Sequence, residues 1–215
     1  MRRLYTLLLY LLSPLILLRL WWRGRRNPGY RRRTGERFGL YNRTLHRGCI
    51  WIHAVSVGES QATQPIMRWI SETWPDIPVV ISTTTPTGAE RIEQMYQESV
   101  LHIYFPYDLP FAIRRALRIL RPRLLVVMET EIWPNLMHQC AAGGIPVLLA
   151  NARLSAPSAR GYGRIRRLIE PAVQAFAQIA AQNEADAQRF IELGADPKRV
   201  HVCGSVKFDV RIPAS

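Results

Sequence analysis

Short apolar runs alternate with amphipathic stretches from residue 49 onward. The runs lie at residues 49–54, 79–82, 101–105, 124–128, 146–150, 178–181 and 200–203. Most are continuously apolar, which is typical of strands buried on both faces of a parallel sheet. The stretches between them predict helices over residues 61–73, 88–97, 111–120, 133–142, 162–176 and 184–193. Six strand–helix repeats predict an α/β domain with a doubly wound, Rossmann-like parallel sheet.

The amino terminus follows another pattern. Residues 4–18 carry no charge and are mostly leucine, and Trp21 and Trp22 follow shortly after them. A helix over residues 4–22 is about 28 Å long, close to the ~30 Å hydrocarbon core of a bilayer. We therefore predict a membrane-anchor helix over residues 1–22, either a tilted span or a deeply seated interfacial helix. A buried soluble helix fits less well because a basic run follows the apolar residues. A cleaved signal peptide fits less well because no small-residue cleavage site follows them.

Positive charge is concentrated beside this helix. The formal net charge is +13, but twelve of the 29 basic residues and one of the 16 acids lie within residues 1–47. The rest of the chain is nearly neutral, which argues against a nucleic-acid partner. We interpret residues 23–47 as a basic juxtamembrane segment that keeps the body on the cytoplasmic face of a membrane. The three cysteines are widely spaced and form no metal motif, as expected in a reducing compartment.

Polar and small residues gather where the predicted strands end. These segments are residues 55–60, 83–88, 107–108, 129–131, 151–155, 182–184 and 204–209. In open parallel sheets, ligands bind outside the carboxyl ends of the strands. The sequence therefore predicts one functional rim at this edge of the sheet.

Glu59 is the main candidate for acid–base chemistry on the rim. It follows Gly58, where the first strand gives way to a helix. A carboxylate there is either a first-turn acid favoured by the helix dipole or a general base. Gly58 is expected to let the backbone turn tightly and to leave space beside the carboxylate. Ser56 and Ser60 are expected either to cap the helix or to bind a sugar or phosphate.

The segment 83–88 holds four threonines and a predicted helix start at Gly88. It suits anion binding through free amide groups, and equally an N-cap formed by Thr87. No G-x-G-x-x-G motif follows the first strand, which argues against a standard dinucleotide site.

Two acids, Glu129 and Glu131, follow the most apolar strand. They either share a divalent cation with a sugar nucleotide, or serve as a hydrogen-bonding carboxylate and a helix-start acid. No D-x-D motif occurs in the chain, so we expect no metal site. Lys207 lies on the rim, where a compact cation can neutralise a carboxylate or a phosphate.

Six motifs in one order resemble those of the 3-deoxy-D-manno-octulosonic acid (Kdo) transferases, and the similarity covers nearly the whole chain. The motifs are His53-Ala-Val-Ser-Val-Gly-Glu59, Thr83-Thr-Thr-Pro-Thr-Gly-Ala-Glu-Arg91, Tyr107-Asp-Leu-Pro110, Met128-Glu-Thr-Glu-Ile-Trp-Pro-Asn135, Asn151-Ala-Arg-Leu-Ser155 and Gly204-Ser-Val-Lys-Phe-Asp209.

The resemblance implies the amino-terminal acceptor domain of a GT-B glycosyltransferase over residues 48–209. Residues 210–215 would then begin a linker to a carboxyl-terminal donor domain. The implied reaction belongs to lipopolysaccharide synthesis at the cell inner membrane. Kdo passes from CMP-Kdo to a lipid A precursor (lipid IVA), with inversion and without a cofactor or bound metal.

On matching positions, the resemblance implies that Glu59 is the catalytic base and that Glu129 and Lys207 support the transition state. The weaker candidates for acceptor binding are Ser56, Gly58, Ser60, Thr85, Thr87, Asn151 and Arg153.

Two rival hypotheses remain open at this point. One is a membrane-tethered module that binds an anionic lipid at the rim without catalysis. The other is a GT-B transferase with a different sugar nucleotide as donor. Because the second half of the family's members binds the donor, we expect these 215 residues alone to transfer little or no Kdo.

Overall fold

A computed structural model describes residues 1–41 and 48–206. Within them, seven strands form one sheet in the order β3-β2-β1-β4-β5-β6-β7. The strands are β1 (Ile50–His53), β2 (Val79–Thr83), β3 (Leu101–Tyr104), β4 (Leu124–Met128), β5 (Val147–Ala152), β6 (Gln178–Ala181) and β7 (Val200–Val202). All neighbouring strands are parallel, so their carboxyl ends lie at one edge. The predicted doubly wound sheet is confirmed, with its switch point between β1 and β4.

Nine α-helices accompany these strands in the described part of the chain. They are α1 (Arg2–Arg26), α2 (Val57–Ala62), α3 (Gln64–Thr73), α4 (Pro86–Tyr96), α5 (Pro110–Leu120), α6 (Pro134–Ala142), α7 (Ala156–Arg164), α8 (Arg166–Gln174) and α9 (Glu184–Glu192). Short 3-10 helices lie at Pro28–Arg31, Thr34–Phe38, Gln97–Ser99 and Pro197–Arg199.

The core has two parts, one on each face of the sheet. Trp51 and Ile52 are neighbours in β1 and both are fully buried, yet they belong to opposite hydrophobic clusters. Side chains alternate between the faces of a strand, so a strand covered on both faces is apolar at every position. This explains why the strands appeared in the sequence as continuous apolar runs.

Two helical regions begin earlier than predicted and are interrupted. In place of one helix over residues 61–73, α2 begins at Val57 after its cap Ser56, and α3 follows with Pro65 in its first turn. Proline has no backbone N–H and cannot continue the hydrogen bonding of a preceding helix, so the break occurs there. In place of one helix over residues 162–176, α7 begins at Ala156 after its cap Ser155, and α8 begins at Arg166.

The amino-terminal helix is longer than predicted. It continues to Arg26 rather than ending at residue 22. Part of the predicted juxtamembrane segment also belongs to the globular body. Glu36 accepts hydrogen bonds from Arg33 and from the backbone N–H of Tyr104 (2.8 Å), and the buried Arg37 donates to the Thr84 carbonyl (2.9 Å). These two arginines are therefore used inside the fold.

Candidate functional site

The carboxyl ends of β1 and β4 lie side by side at the switch point. The two strands pair from Ile50 opposite Leu124 to His53 opposite Val127. The helices that follow them pack on opposite faces of the sheet, since α2 and α6 contribute to different hydrophobic clusters. The segments after the two strands therefore flank the position at which open parallel sheets bind their ligands, which is called the crevice below. One segment carries Glu59, and the other carries Glu129 and Glu131.

The segment after β3 also reaches the switch point. The ring of Phe105 stacks on that of His53, with 3.7 Å between centroids, and lies 5.8 Å from the ring of Trp133. His53 itself is fully buried, and burial lowers its pKa to about 3. This histidine is neutral at physiological pH and acts as a packing residue rather than as an acid or base.

Glu59 is held in one orientation at the start of α2. Ser56 caps the helix, because its Oγ accepts a hydrogen bond from the Glu59 N–H (3.4 Å). In return, Glu59 Oε1 accepts from the Ser56 hydroxyl (3.0 Å) and Oε2 accepts from the Val55 N–H (2.9 Å). Glu59 is 9% exposed. This reciprocal arrangement resembles a capping box, and it fixes the carboxylate at the mouth of the crevice.

Gly58 leaves open space next to this carboxylate. A Cβ added at Gly58 would meet no atom within 4 Å other than those of its chain neighbours and of the backbone of its own helix. The expected tight turn is not formed, since Gly58 lies within α2 and is absent from the positive-φ glycines. What its missing side chain contributes at the surface is room beside Glu59.

The negative charge of Glu59 acts on the carboxyl group of Glu131. Burial is the main reason why its pKa is raised to about 7, and the negative charges of Glu59 and Glu129 raise it further. A carboxyl group near a second carboxylate takes up a proton more readily, because two like charges in one site repel each other. Glu131 was not among the predicted catalytic residues, although its spacing from Glu129 after an apolar strand was the available signal.

No group of three or more His, Cys, Asp or Glu side chains in residues 1–41 and 48–206 is placed to hold a metal ion.

Two residues of the site have a left-handed backbone. Glu129, just after β4, has φ 58°, and Asn151, near the end of β5, has φ 53°. The conformation is unfavourable for non-glycine residues and is found mainly where the surrounding structure enforces it, often at functional sites. The Glu129 N–H donates to the Ala150 carbonyl (3.0 Å), which extends the β4–β5 pairing to the rim.

Asn151 connects the rim to the segment after β7. It is 2% exposed, its Oδ1 accepts from the Val206 N–H (3.3 Å), and its carbonyl accepts from Gln182 Nε2 (3.1 Å). Its buried Nδ2 has no hydrogen-bond partner. Val206 is the last described residue, and Lys207 lies outside the described residues.

The threonine segment lies against the segment that carries Glu59. Thr84 and Thr85 donate to the Val55 carbonyl at 3.3 and 3.5 Å. Thr85 caps α4, since its Oγ1 accepts from the Gly88 N–H (3.1 Å). The N-cap predicted at Thr87 is therefore wrong; Thr87 is exposed and lies two residues further along, within the first turn of α4.

Two other predicted acceptor residues are placed differently. Ser60 is fully buried and donates to the Ser56 carbonyl (2.8 Å), so its hydroxyl is used inside the fold. Arg153 is exposed, and its backbone carbonyl accepts a hydrogen bond from the Thr130 hydroxyl. The structure thus brings Glu59, Ser56, Gly58, Thr85 and Glu129 to the crevice.

The first turns of α1 contact the same edge of the sheet. Asp108 is 3% exposed, and it accepts hydrogen bonds from the backbone N–H groups of Asn135 (3.0 Å) and Leu136 (2.7 Å) at the start of α6. The Tyr5 hydroxyl donates to the same carboxylate (3.0 Å). Burial raises the pKa of Asp108 to about 6, although these hydrogen bonds oppose the rise. In the described residues, α1 is the one helix long and apolar enough to cross a membrane.

Comparison with known proteins supports the resemblance of the motifs. The family model described as 3-Deoxy-D-manno-octulosonic-acid transferase (kdotransferase) matches residues 32–210. The 3-deoxy-D-manno-octulosonic acid transferase of Haemophilus influenzae is 40% identical, over 96% of this chain and 49% of its own length. That of Bordetella pertussis is 36% identical, over 99% of this chain and 51% of its own length. The chain spans about half the length of the curated relatives that it matches.

Solved structures support the fold. UDP-GlcNAc 2-epimerase from Neisseria meningitidis, bound to UDP-GlcNAc, superposes with a TM-score of 0.55 at 13% identity. The match covers 75% of this chain and 48% of the epimerase. At that identity the likeness concerns the fold alone, and it agrees with the GT-B-type domain expected from the sequence. Because the family model covers most of the chain and the relatives match nearly its whole length, the chain belongs to the family of Kdo transferases.

Proposed function

We propose that this chain is the acceptor-binding part of a transferase that moves Kdo from CMP-Kdo to a hydroxyl group of a lipid A precursor (lipid IVA), with Glu59 as general base. The observation that carries the proposal is the oriented Glu59 carboxylate at the switch point, with open space at Gly58. The choice of Kdo as the transferred sugar rests on the family to which the chain belongs.

The chemistry requires such a group. A sugar hydroxyl is a poor nucleophile, and a positioned carboxylate takes its proton as the new bond forms. The acceptor oxygen attacks the anomeric carbon, the bond to the phosphate oxygen of CMP breaks, and CMP departs with the bonding electrons. Attack opposite to the leaving group inverts the anomeric centre.

Glu131 has a defined part in this scheme. Its pKa of about 7 means that it is partly protonated near neutral pH. When Glu131 carries a proton, one negative charge is removed from the surroundings of Glu59. We propose that Glu131 keeps the crevice from holding three carboxylates at once, while Glu59 receives the proton of the acceptor.

Glu129 and Lys207 are proposed to stabilise the charges that belong to the donor. The departing CMP leaves a positive, oxocarbenium-like centre, which a carboxylate such as Glu129 can stabilise. Lys207 directly follows Val206, whose N–H is hydrogen-bonded to Asn151 at the rim. We propose that its ammonium group neutralises the carboxylate or phosphate of CMP-Kdo.

The acceptor is proposed to reach the rim from a membrane. Its acyl chains stay in the bilayer, and α1 lies against the rim through Tyr5 and Asp108. The many arginines around α1 suit the anionic cytoplasmic face of the inner membrane. No metal or other cofactor is part of the proposal. Binding of CMP-Kdo is proposed for the part of the relatives that this chain does not cover.

Replacement of Glu59 in a protein of the relatives' full length tests this function. Glu59→Gln keeps the size of the side chain but cannot accept a proton, so kcat should fall by about 10²- to 10⁴-fold. The KM for the lipid should change little, because the amide still fills the same position. Glu72→Gln, an exposed position on α3, is the matched control and should keep full activity.

Two results would contradict the proposal. Full activity of the Glu59→Gln enzyme would exclude Glu59 as the base and favour a module that only binds lipid. Activity with another sugar nucleotide but none with CMP-Kdo would exclude the proposed donor.

A further inference from the structure

Helix α1 has two different sides along its whole length. Its more buried positions recur every three or four residues, and they are 2, 5, 6, 9, 13, 16, 20 and 24. This is the period of one helix face, so one side of α1 faces the protein from end to end. The other side exposes large apolar side chains to the surroundings: Leu4, Leu7, Leu8, Leu11, Leu15 and Leu18.

The amino-terminal end of α1 is bonded to the globular body. Tyr5 donates to the Asp108 carboxylate (3.0 Å). The side-chain oxygen of Asn135 accepts from the Thr6 hydroxyl (3.0 Å) and from Arg2 Nη1 (3.3 Å). These partners belong to the rim, at the start of α6 and just before α5.

The middle and the carboxyl-terminal end of α1 also lie against the globular body. The Tyr10 ring stacks on that of Phe111 in α5, with 6.2 Å between centroids. Leu20 is 8% exposed. The chain then passes through the 3-10 helix Pro28–Arg31 into the segment that packs on β3. Both ends of α1 are therefore attached to the same domain.

A helix that crosses a bilayer cannot keep these contacts. Twenty-five residues make a helix about 37 Å long, and the hydrocarbon core is about 30 Å thick. With the body on one side, the first turn of a spanning helix would lie on the other side, far from Asp108 and Asn135. The nearly buried Asp108 carboxylate would then lose its hydrogen bond from Tyr5, which is costly for a buried polar group.

We infer that α1 lies in the plane of one membrane leaflet, docked on the rim by its amino-terminal turn, with its leucine face in the lipid. This inference rests on the membrane attachment that is part of the proposed function. The partner is an anionic lipid surface, since α1 contains no acid and carries arginines at both ends. Trp21 and Trp22 are about half exposed, and Arg25 and Arg26 lie over their rings, which suits the head-group level.

The sidedness of the amino-terminal end tests the inference. Of the three cysteines, Cys203 is exposed, whereas Cys49 and Cys140 are buried. The protein of the relatives' full length would therefore carry Cys203→Ser, so that this exposed thiol does not react. Arg3→Cys then reports the amino-terminal end of α1, and Glu72→Cys reports the body. Both variants would be treated with a membrane-impermeant maleimide in sealed inner-membrane vesicles of either orientation.

An in-plane helix predicts that both cysteines are labelled from the same side of the vesicle. Labelling of Arg3→Cys from the opposite side to Glu72→Cys would overturn the inference. If Arg3→Cys is labelled from neither side, an oxidative cross-link between Thr6→Cys and Asn135→Cys decides. We expect the cross-link to form in intact membranes, and its absence there would also overturn the inference.

Leu7→Cys paired with Asn135→Cys is the control for this cross-link. Leu7 follows Thr6 but lies on the exposed face, so we expect no cross-link from it. Neither readout measures sugar transfer. An inactive protein with one-sided labelling would contradict the proposed function and leave the in-plane helix intact.

Discussion

Glu131 and Glu59 follow different strands of the sheet, and the fold brings their negative charges near each other. The sequence shows two acids after an apolar strand, but it does not show that one of them lies near Glu59. The pKa of a carboxyl group depends on burial and on charges brought near it by the fold. The place of Glu59 after Gly58 left two roles open, a first-turn acid and a general base. The resemblance to the Kdo transferases favoured the base, and the structure adds the hydrogen bonds that orient the carboxylate.

The raised pKa of Glu131 predicts a pH-dependent effect on stability. From its ordinary value of 4.5 up to about 7, the folded chain keeps a proton here that the unfolded chain has released. Stability therefore falls as the pH rises through this window. Glu131→Gln removes that loss, so its thermal midpoint should exceed that of the wild type at pH 8 and the difference should shrink below pH 4.5. A pH-independent difference in thermal denaturation would speak against the coupling.

Gly58 gives a second prediction at the scale of the residue. Alanine is a better helix former than glycine by up to about 1 kcal/mol. The added Cβ would clash with no atom outside its chain neighbours and the backbone of its own helix. Gly58→Ala should therefore stabilise the domain and yet raise the KM for the lipid, because it fills the space beside Glu59. Gly161→Ala, in α7 and equally unobstructed, should stabilise without changing KM. An unchanged KM for Gly58→Ala would mean that the acceptor does not use this space.

At the scale of the elements, most strands could be predicted closely because continuous apolar runs mark them. The errors lie where local signals compete. The helix predicted over residues 61–73 begins at Val57, after its cap Ser56, and is interrupted just before Pro65. The cap of α4 is formed by Thr85 instead of Thr87. The apolar pattern identified α1, but a hydrophobic run alone cannot distinguish a spanning helix from one docked along a domain. That distinction depends on Tyr5 reaching Asp108, a contact between residues far apart in sequence.

The docking of α1 is open to a direct test. Tyr5→Phe removes the hydroxyl that donates to Asp108, at a cost of about 1 kcal/mol. Amide hydrogen exchange in the first turns of α1 should become about five-fold faster. Tyr10→Phe makes the same chemical change and keeps the ring that stacks on Phe111, so it serves as the control. Equal exchange in the Tyr5→Phe protein and the wild type would show that this hydrogen bond does not hold α1.

For the whole molecule, the alternation of strands and helices predicted the doubly wound sheet, and the order of the strands places the rim. The strand order β3-β2-β1-β4 brings together segments that are about seventy residues apart in the chain, namely those with Glu59 and Glu129. The uneven charge of the chain also has a structural meaning at this scale. Much of it surrounds α1, while Arg33 and Arg37 are used for packing.

The central claim is that the rim of this domain binds the lipid acceptor. The most direct test is binding of the tetraacylated lipid A precursor to the purified 215-residue chain in detergent, with folding checked by circular dichroism. We expect saturable binding that weakens when the phosphates are removed from the lipid, and equal binding by Glu59→Gln. A folded chain that shows no saturable binding would contradict the claim.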